Sequence, residues 1–160
     1  MKRSGNLFGM VREVWWFLIT TAVVWFLGLA VTFGDFFILQ ERPHSWGALN
    51  VSGGMLLIVG VAIRVVARRT LGRFFSPFLR IKRDHRLVTR GIYRKVRHPA
   101  YTGTILLSLG IALAFGSIMG FLIMLLLIPC ILYRIPAEER MLTDKFGEEY
   151  ISYKKRTKKL

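Results

Sequence analysis

Hydrophobic residues in this chain fall in long blocks rather than being scattered. The first block, Val14 to Phe33, is a run of 20 residues without a charge, about the length that a helix needs to cross a bilayer. A second block runs from about Trp46 to Ala67. The third and fourth, residues 100–115 and 118–133, are separated only by a Gly-Ser pair. Because a bilayer offers the backbone no hydrogen-bonding partners, such blocks must form helices.

The pattern predicts an all-α integral membrane protein with about four transmembrane helices, of which the third and fourth form a tight hairpin. The first block is longer than the roughly 7–15 apolar residues of a secretory signal, so we expect it to be a retained helix. The 160 residues then form a single membrane domain. Residues 1–67 carry the first two helices, and residues 68–160 carry the third and fourth.

Charge is distributed very unevenly around these blocks. The net charge is +15, and residues 64–97 hold twelve of the 24 Lys and Arg residues. If the four helices alternate in direction, 23 of the 24 basic residues lie on one side of the membrane. The positive-inside rule makes that side cytoplasmic, together with both termini. The basic segments should attract anionic membrane lipids, and we expect no nucleic-acid partner, because the aromatic residues lie in the apolar blocks instead of alternating with the charges.

Glycines and prolines refine this arrangement. Gly53-Gly54, Gly60, Gly103 and Gly110 lie in the second and third blocks, where small residues allow membrane helices to approach closely. Pro129 predicts a kink in the fourth helix. The loop 68–97 carries basic and aromatic residues that fit either an interfacial anchor or part of a lipid entrance.

The segment after the fourth block has the character of a surface helix. Glu138 and Glu139 follow Pro136 closely, and carboxylates suit the first turn of a helix. Apolar side chains recur at i, i+4 and i+8, namely at Leu142, Phe146 and Tyr150. We therefore expect a C-terminal amphipathic helix on the cytoplasmic face.

Candidate chemistry is concentrated where the basic loop meets the third block. Because a residue that precedes proline avoids the α region, His98-Pro99 predicts the start of the third helix, whose free N–H groups could bind a carboxylate. Tyr93 and Tyr101 offer aromatic faces to a cation or a purine, and Glu138 offers a negative charge. Each signal alone also has a structural explanation. Together they suit a ligand with a carboxylate, a purine and a positive centre, and S-adenosylmethionine has all three.

Several short motifs follow one another in a specific order. They are Leu71-Gly72, His85-Arg-Leu87-Val88, Gly91-x-Tyr93, Arg97-His98-Pro99-x-Tyr101-x-Gly103, Arg134-x-Pro-x-Glu138-Glu139 and Phe146-Gly147-Glu-Glu-Tyr150-x-x-Tyr153. This combination resembles the isoprenylcysteine carboxyl methyltransferase family, within the wider group of integral-membrane phospholipid methyltransferases. The resemblance covers roughly residues 56–156.

The resemblance implies that residues 68–160 form a methyltransferase core that binds S-adenosylmethionine from the cytoplasmic side. It also implies a lipophilic substrate, isoprenylated in the family that gives the resemblance its name, which enters from the bilayer. The substrate-side arginine would be Arg134, and no metal is implied. The residues implied to contact the cofactor are His85, Leu87, Val88, Tyr93, His98, Pro99, Ala100, Tyr101 and Glu138.

Arg134 and Glu138 are the predicted catalytic residues. Methyl transfer from a sulfonium is an in-line displacement, so positioning and a water-poor site should provide most of the catalysis. A carboxylate acceptor, oriented by Arg134, needs no general base, whereas an amine acceptor would need Glu138 or Glu139 to take its proton.

Three other functions fit parts of the pattern. Arg134 could bind a phosphate as readily as a carboxylate, which allows methylation of a phospholipid or another small lipophile. The related membrane reductases of sterol metabolism share part of the expected fold but have additional helices. A non-enzymatic membrane scaffold would retain the same motifs for packing alone.

Overall fold

The fold is entirely helical in the residues that the structure, a computed structural model, describes: 4–39, 47–75 and 86–160, with side chains from residue 15 onward. The all-α prediction is confirmed for these ranges. Two short 3-10 turns, Gly72–Phe74 and Gly91–Arg94, lie between the second and third helices. The α-helices are α1 Ser4–Leu39, α2 Ala48–Leu71, α3 Pro99–Ala114, α4 Ile118–Leu125, α5 Leu127–Phe146 and α6 Glu148–Arg156.

Three stretches of helix are long and apolar enough to cross a membrane: Trp15–Ile38, Ala48–Phe74 and Ile118–Phe146. Their outward faces expose many large apolar side chains, as expected of helices in contact with lipid. The remaining apolar helix, α3, has 16 residues and is therefore roughly 24 Å long, less than the ~30 Å hydrocarbon layer. A fourth crossing by α3, and the cytoplasmic position of both termini, stay predictions.

Glycines bring α2 and α3 into backbone contact. A Cβ atom on Gly103 would lie 2.8 Å from the Gly60 carbonyl oxygen, and one on Gly110 would lie 2.8 Å from the Gly53 carbonyl oxygen. Because the later glycine on α3 meets the earlier one on α2, the two helices are antiparallel. Asn50 supports the far end of this pair, where its Nδ2 donates to the Ala114 carbonyl oxygen at 3.1 Å. The predicted packing role is confirmed for these four glycines and is wrong for Gly54, where nothing lies within 4 Å of the position of a Cβ atom.

α1 packs on the hairpin of α3 and α4. Gly28 of α1 faces the side chain of Met124, which is fully buried. Trp25 Nε1 donates a hydrogen bond to Ser108 Oγ of α3 at 3.1 Å. The core of the bundle is apolar and lies where α1, α3, α4 and α5 meet; its fully buried residues are Ala112, Met124, Leu127, Ile131 and Ile135.

The predicted hairpin between the third and fourth blocks is confirmed. α3 ends at Ala114, Gly116 takes a φ of 72° in the turn, and Ser117 Oγ caps α4 by accepting from the Gly120 N–H at 2.9 Å. The predicted kink is found as an interruption at Leu126, between α4 and α5. Pro129 accounts for it, because its ring opposes the carbonyl group four residues earlier.

The predicted C-terminal helix is wrong in its bounds. No helix begins directly after Pro136, because α5 continues through this proline to Phe146. Helix-interrupting prolines are tolerated in membrane helices when neighbouring helices hold the segment in place, and Ile135 beside Pro136 is fully buried. The helix ends instead at Gly147, where φ is 53°, so the predicted apolar stripe is divided between α5 and α6.

We expect Gly60→Ala to destabilise the protein. The new methyl group would meet the backbone of Leu107, and such overpacking costs about 1–3 kcal/mol. Thermal unfolding in detergent measures the loss. Gly54→Ala is the matched control, because nothing lies within 4 Å of a Cβ atom there and alanine favours a helix by about 1 kcal/mol over glycine. Equal transition temperatures for the two variants would contradict the close contact between α2 and α3.

Candidate active site

A cavity of about 300 Å³ lies where α1, α2, α3 and α5 meet the segment that precedes α3 and helix α6. Most of the site residues predicted from the sequence lie on its wall: Leu87, Val88, Tyr93, His98, Ala100, Tyr101, Arg134 and Glu138. Pro99 does not line the cavity; it is fully buried and begins α3. His85 lies outside the described residues.

His98 and Tyr101 connect the start of α3 to the two glutamates of α5. The Nε2 atom of His98 lies 3.4 Å from Glu139 Oε1, and its Nδ1 atom lies 4.0 Å from Glu138 Oε1. Tyr101 stacks on the imidazole with ring centroids 5.8 Å apart. Its hydroxyl donates to Glu138 Oε2 at 2.8 Å. The Glu138 carboxylate therefore faces the cavity beside the stacked rings of His98 and Tyr101, while the Glu139 carboxylate contacts the imidazole of His98.

The first turn of α3 offers a carboxylate fewer donors than the sequence suggested. Pro99 has no N–H group, and the N–H groups of Tyr101 and Thr102 both donate to the His98 carbonyl oxygen, at 3.0 and 3.2 Å. The bond from Tyr101 uses a donor that a helix start normally leaves free, whereas the bond from Thr102 is the first regular bond of the helix. Fewer backbone N–H groups are therefore free to bind an anion at this turn than the sequence predicts. Polar side chains of the cavity are better placed to bind a ligand.

Arg134 is buried, with only 6% of its surface exposed. Its guanidinium carbon lies 4.3 Å from the ring centroid of Phe17 on α1, a distance typical of a cation–π interaction. Since an arginine that snorkels to headgroups keeps its charge in water, this burial rules out a topology anchor. Arg134 and Glu138 are four residues apart on α5, and both line the cavity, so one helix face presents a cation and an anion.

Glu139 is the centre of a buried ion cluster. Its Oε1 atom accepts from Arg97 Nε at 2.9 Å, and its Oε2 atom lies 2.7 Å from Lys154 Nζ. Arg97 also donates to the carbonyl oxygens of Lys154, at 2.9 Å, and of Thr157. The cluster therefore joins α5, the segment before α3, and the C-terminal end of α6. Sequence reasoning missed it, although Arg97 directly precedes the His-Pro pair.

The last residues of the chain run beside the segment that leads into α3. Val96 and Lys158 form a parallel β-bridge, in which the Arg97 N–H donates to the Lys158 carbonyl oxygen at 2.8 Å. Nearby, the Tyr153 hydroxyl donates to the Tyr93 carbonyl oxygen at 2.6 Å. Helix α6 and the residues after it thus hold the cavity wall that Tyr93 and His98 provide.

Three tyrosines near this wall remain neutral at physiological pH. Burial raises the pKa of Tyr93, and the charge of Glu138 raises it further. Burial likewise raises the pKa of Tyr150, with an added contribution from Glu139, and the pKa of Tyr153. All three line the cavity as phenols, not phenolates, and the hydroxyl of Tyr153 uses its proton in the bond to the Tyr93 carbonyl oxygen.

Several residues of the cavity wall were not predicted. α1 contributes Phe17 and Thr21, and α2 and α3 contribute Arg64 and Thr104. The interruption of an apolar block by an arginine was the available signal for Arg64. Within the described ranges, no group of three or more His, Cys, Asp or Glu side chains could hold a metal ion.

Comparison with known proteins gives consistent results. Residues 48–149 match the family model described as phospholipid methyltransferase. Protein-S-isoprenylcysteine O-methyltransferase B of Arabidopsis thaliana is 32% identical over 118 residues, which cover 72% of this chain and 59% of that protein. The Rattus norvegicus protein-S-isoprenylcysteine O-methyltransferase is 35% identical over 128 residues, covering 78% and 44%. The chain thus spans about half the length of the curated relatives it matches.

A solved structure has the same fold. The eukaryotic intramembrane Ras methyltransferase, an isoprenylcysteine carboxyl methyltransferase, superimposes with a TM-score of 0.69 at 24% sequence identity. The match covers 99% of this chain and 53% of that one. The helical arrangement around the cavity is therefore shared with a membrane protein.

We expect Glu139→Gln to loosen the C-terminal end of α6 from the cavity wall. The substitution leaves the buried guanidinium of Arg97 opposite a neutral amide, and breaking a buried ion pair costs about 3–5 kcal/mol. Amide hydrogen exchange at Arg97 and Lys158 should become faster, with a lower transition temperature in detergent. Glu149→Gln, at an exposed position of α6, is the control. The interpretation fails if both variants exchange at the wild-type rate.

Proposed function

This chain belongs to the phospholipid methyltransferase family, and on that premise we propose that it is a membrane methyltransferase that uses S-adenosylmethionine. The family resemblance predicted from the sequence motifs is confirmed. Its three long apolar helices and shared fold make it an integral membrane protein. The acceptor we propose is the carboxylate of a lipophilic substrate of the isoprenylcysteine type.

One observation carries this proposal. The buried Arg134 lies in a cavity between apolar membrane helices, and four residues further along α5 is Glu138. The Glu138 carboxylate contacts the stacked rings of His98 and Tyr101. Arg134 suits an anionic acceptor group, since a guanidinium binds a carboxylate through two parallel hydrogen bonds. Phe17 and Leu18 of α1 and Ile131 of α5 provide an apolar wall beside it. A substrate with an acidic end and a hydrocarbon chain matches both Arg134 and this apolar wall.

Other residues of the cavity wall fit the cofactor. Glu138 offers a negative charge to a cationic group, Tyr93 and Tyr101 offer aromatic faces to a purine, and Leu87 and Val88 give apolar contact. The volume of about 300 Å³ is at the lower end of the range of ~300–1,000 Å³ for small-molecule sites. When bound, S-adenosylmethionine supplies a methyl group on a positively charged sulfur.

The residues of the chain act by positioning. A carboxylate acceptor is ionised at neutral pH because carboxyl groups have pKa values near 4, so Arg134 needs only to bind and orient it. The ring of Phe17 packs against the Arg134 guanidinium. Glu138 and Tyr101 fix the cofactor side, and the apolar wall excludes water, which favours transfer between two aligned groups.

A second candidate is methylation of a phospholipid or another small lipophile, which the description of the matching family model favours. An amine acceptor would have to lose a proton first. Glu139 is already bound to Arg97 and Lys154, so Glu138, on the cavity wall, is the better candidate for the base. Assays with a prenylcysteine acid and with phosphatidylethanolamine as alternative acceptors separate the two functions.

We further propose that the cavity faces the cytoplasm and admits its acceptor from the bilayer. The basic segment that leads into α3 and the basic end of α6 both border the cavity, and the positive-inside rule places such segments in the cytoplasm. Leu71, Phe74 and Phe75 line the same cavity. Their position favours a lipid entrance over a simple anchor for the beginning of loop 68–97.

Binding of the cofactor is the first test. Calorimetric titration of S-adenosylmethionine and S-adenosylhomocysteine into detergent-purified protein should show binding in the wild type. We expect Glu138→Gln to weaken S-adenosylmethionine binding by about 10- to 100-fold, since hydrogen bonds to charged groups contribute about 1.5–3 kcal/mol. Glu148→Gln, an exposed neighbour on α6, should bind as the wild type does. Absence of binding to a folded wild-type protein would favour the scaffold function instead.

Methyl transfer is the second test. Arg134→Gln should lower kcat/KM for a prenylcysteine acid by about 100-fold or more, because displacement of an acceptor by about 1 Å can cost that much. Its affinity for S-adenosylhomocysteine should remain within about threefold of the wild type if Arg134 acts on the acceptor side. Transfer at the wild-type rate by this variant would exclude Arg134 from the site.

A further inference from the structure

We propose that the hydroxyl of Tyr150 is a further contact for the cofactor and donates a hydrogen bond to a ribose hydroxyl of S-adenosylmethionine. This inference rests on the proposed function. It adds a contact for the ribose to those for the purine and for the cationic group, and it gives helix α6 a direct part in binding.

Tyr150 carries a buried polar atom without a partner in the protein. The residue is 1% exposed and lines the cavity. Its hydroxyl oxygen is buried, and within residues 15–39, 47–75 and 86–160 nothing forms a hydrogen bond with it. Buried tyrosine hydroxyls usually have a partner, because leaving such a group unpaired destabilises the folded protein. An exception on the wall of a cavity therefore points to a ligand as the partner.

Other tyrosines of the same wall use their hydroxyls within the protein. The Tyr101 hydroxyl donates to Glu138 Oε2 at 2.8 Å, and the Tyr153 hydroxyl donates to the Tyr93 carbonyl oxygen at 2.6 Å. Tyr153 lies three residues after Tyr150, on the same side of α6, and the two ring centroids are 5.9 Å apart. Of these two neighbouring phenols, one joins α6 to the cavity wall and the other keeps its donor for a ligand.

The ion cluster around Glu139 fixes the position of Tyr150. Lys154, one turn further along α6, places its Nζ atom 2.7 Å from Glu139 Oε2. The carbonyl oxygen of Lys154 also accepts from Arg97 Nη1 at 2.9 Å. This turn of α6 is therefore held in place before any ligand arrives. A donor that is ordered in advance loses little conformational entropy on binding, so its hydrogen bond contributes to affinity.

The charges near Tyr150 indicate which part of the cofactor it meets. Burial raises the pKa of Tyr150, and the charge of Glu139 raises it further, while that of Arg97 lowers it. Glu138 also raises this pKa, so the neutral phenol lies close to two carboxylates. They would repel the carboxylate end of the cofactor. Glu138 matches the cationic group, and the aromatic rings of the wall match the purine. The ribose, with its neutral hydroxyls, is the part that suits a phenol donor.

Thermal unfolding of the cofactor-free protein in detergent tests whether the hydroxyl has a partner inside the protein. We expect Tyr150→Phe to leave the transition temperature unchanged or to raise it, because the substitution removes a buried polar atom that is unpaired. Tyr153→Phe is the matched comparison on the same helix. Its hydroxyl is bonded to the Tyr93 carbonyl oxygen, so the transition temperature should fall. A similar fall for Tyr150→Phe would show a structural role and overturn the proposal.

Calorimetric titration tests the contact itself, with S-adenosylhomocysteine and its 2′-deoxy and 3′-deoxy analogues as the probes. We expect Tyr150→Phe to raise the Kd for S-adenosylhomocysteine by about 3- to 10-fold. For one of the two deoxy analogues, the variant and the wild type should bind within about twofold of each other, because that analogue lacks the partner of the hydroxyl. Tyr133→Phe, at a position that is 75% exposed and outside the cavity wall, should bind all three probes as the wild type does.

Two binding results would also overturn the proposal. They are an unchanged affinity of Tyr150→Phe for S-adenosylhomocysteine, and an equal loss for all three probes, which would place the partner of the hydroxyl outside the ribose. Failure of the proposed function gives a different result, since the wild type would then bind none of the probes. If only the contact of Tyr150 is misassigned, the wild type still binds S-adenosylhomocysteine.

Discussion

The ion cluster around Glu139 is the interaction on which the site depends. One carboxylate, only 5% exposed, binds Arg97 and Lys154 and supports the imidazole of His98. Glu139 and these partners come from three parts of the chain, namely α5, the segment before α3, and α6. An uncompensated charge at that position would be costly, so the cluster requires all three parts to be in place at once. The geometry of the cavity wall follows from this requirement.

The membrane imposes the other constraint. Charged side chains line the cavity, although the helices around it are otherwise in contact with lipid. Each of these charges lies near a helix end or against another side chain. Arg134 lies on the ring of Phe17, and Tyr101 holds Glu138. α3 begins at the cavity, because Pro99 prevents the helix from starting earlier. Its glycines then bring α2 close enough for Arg64 to reach the same space.

The sequence predicts the features whose cause is local. Apolar length identifies the long helices, Pro99 marks the start of α3, and the motif order identifies eight residues that line one cavity. Features that depend on distant partners were missed. Arg97 and Glu139 are 42 residues apart, and the uncharged run that contains Phe17 gives no sign that this residue faces a site. The helix boundary at Pro136 was wrong because tertiary packing, not local propensity, carries α5 through the proline.

The position of Phe17 has a consequence for how the site can be altered. α1 lies outside residues 48–149, the part of the chain that matches the family model, yet it supplies the ring against which the guanidinium of Arg134 rests. Substitutions on α1 can therefore change the surroundings of this buried arginine without altering any residue within the matched part of the chain.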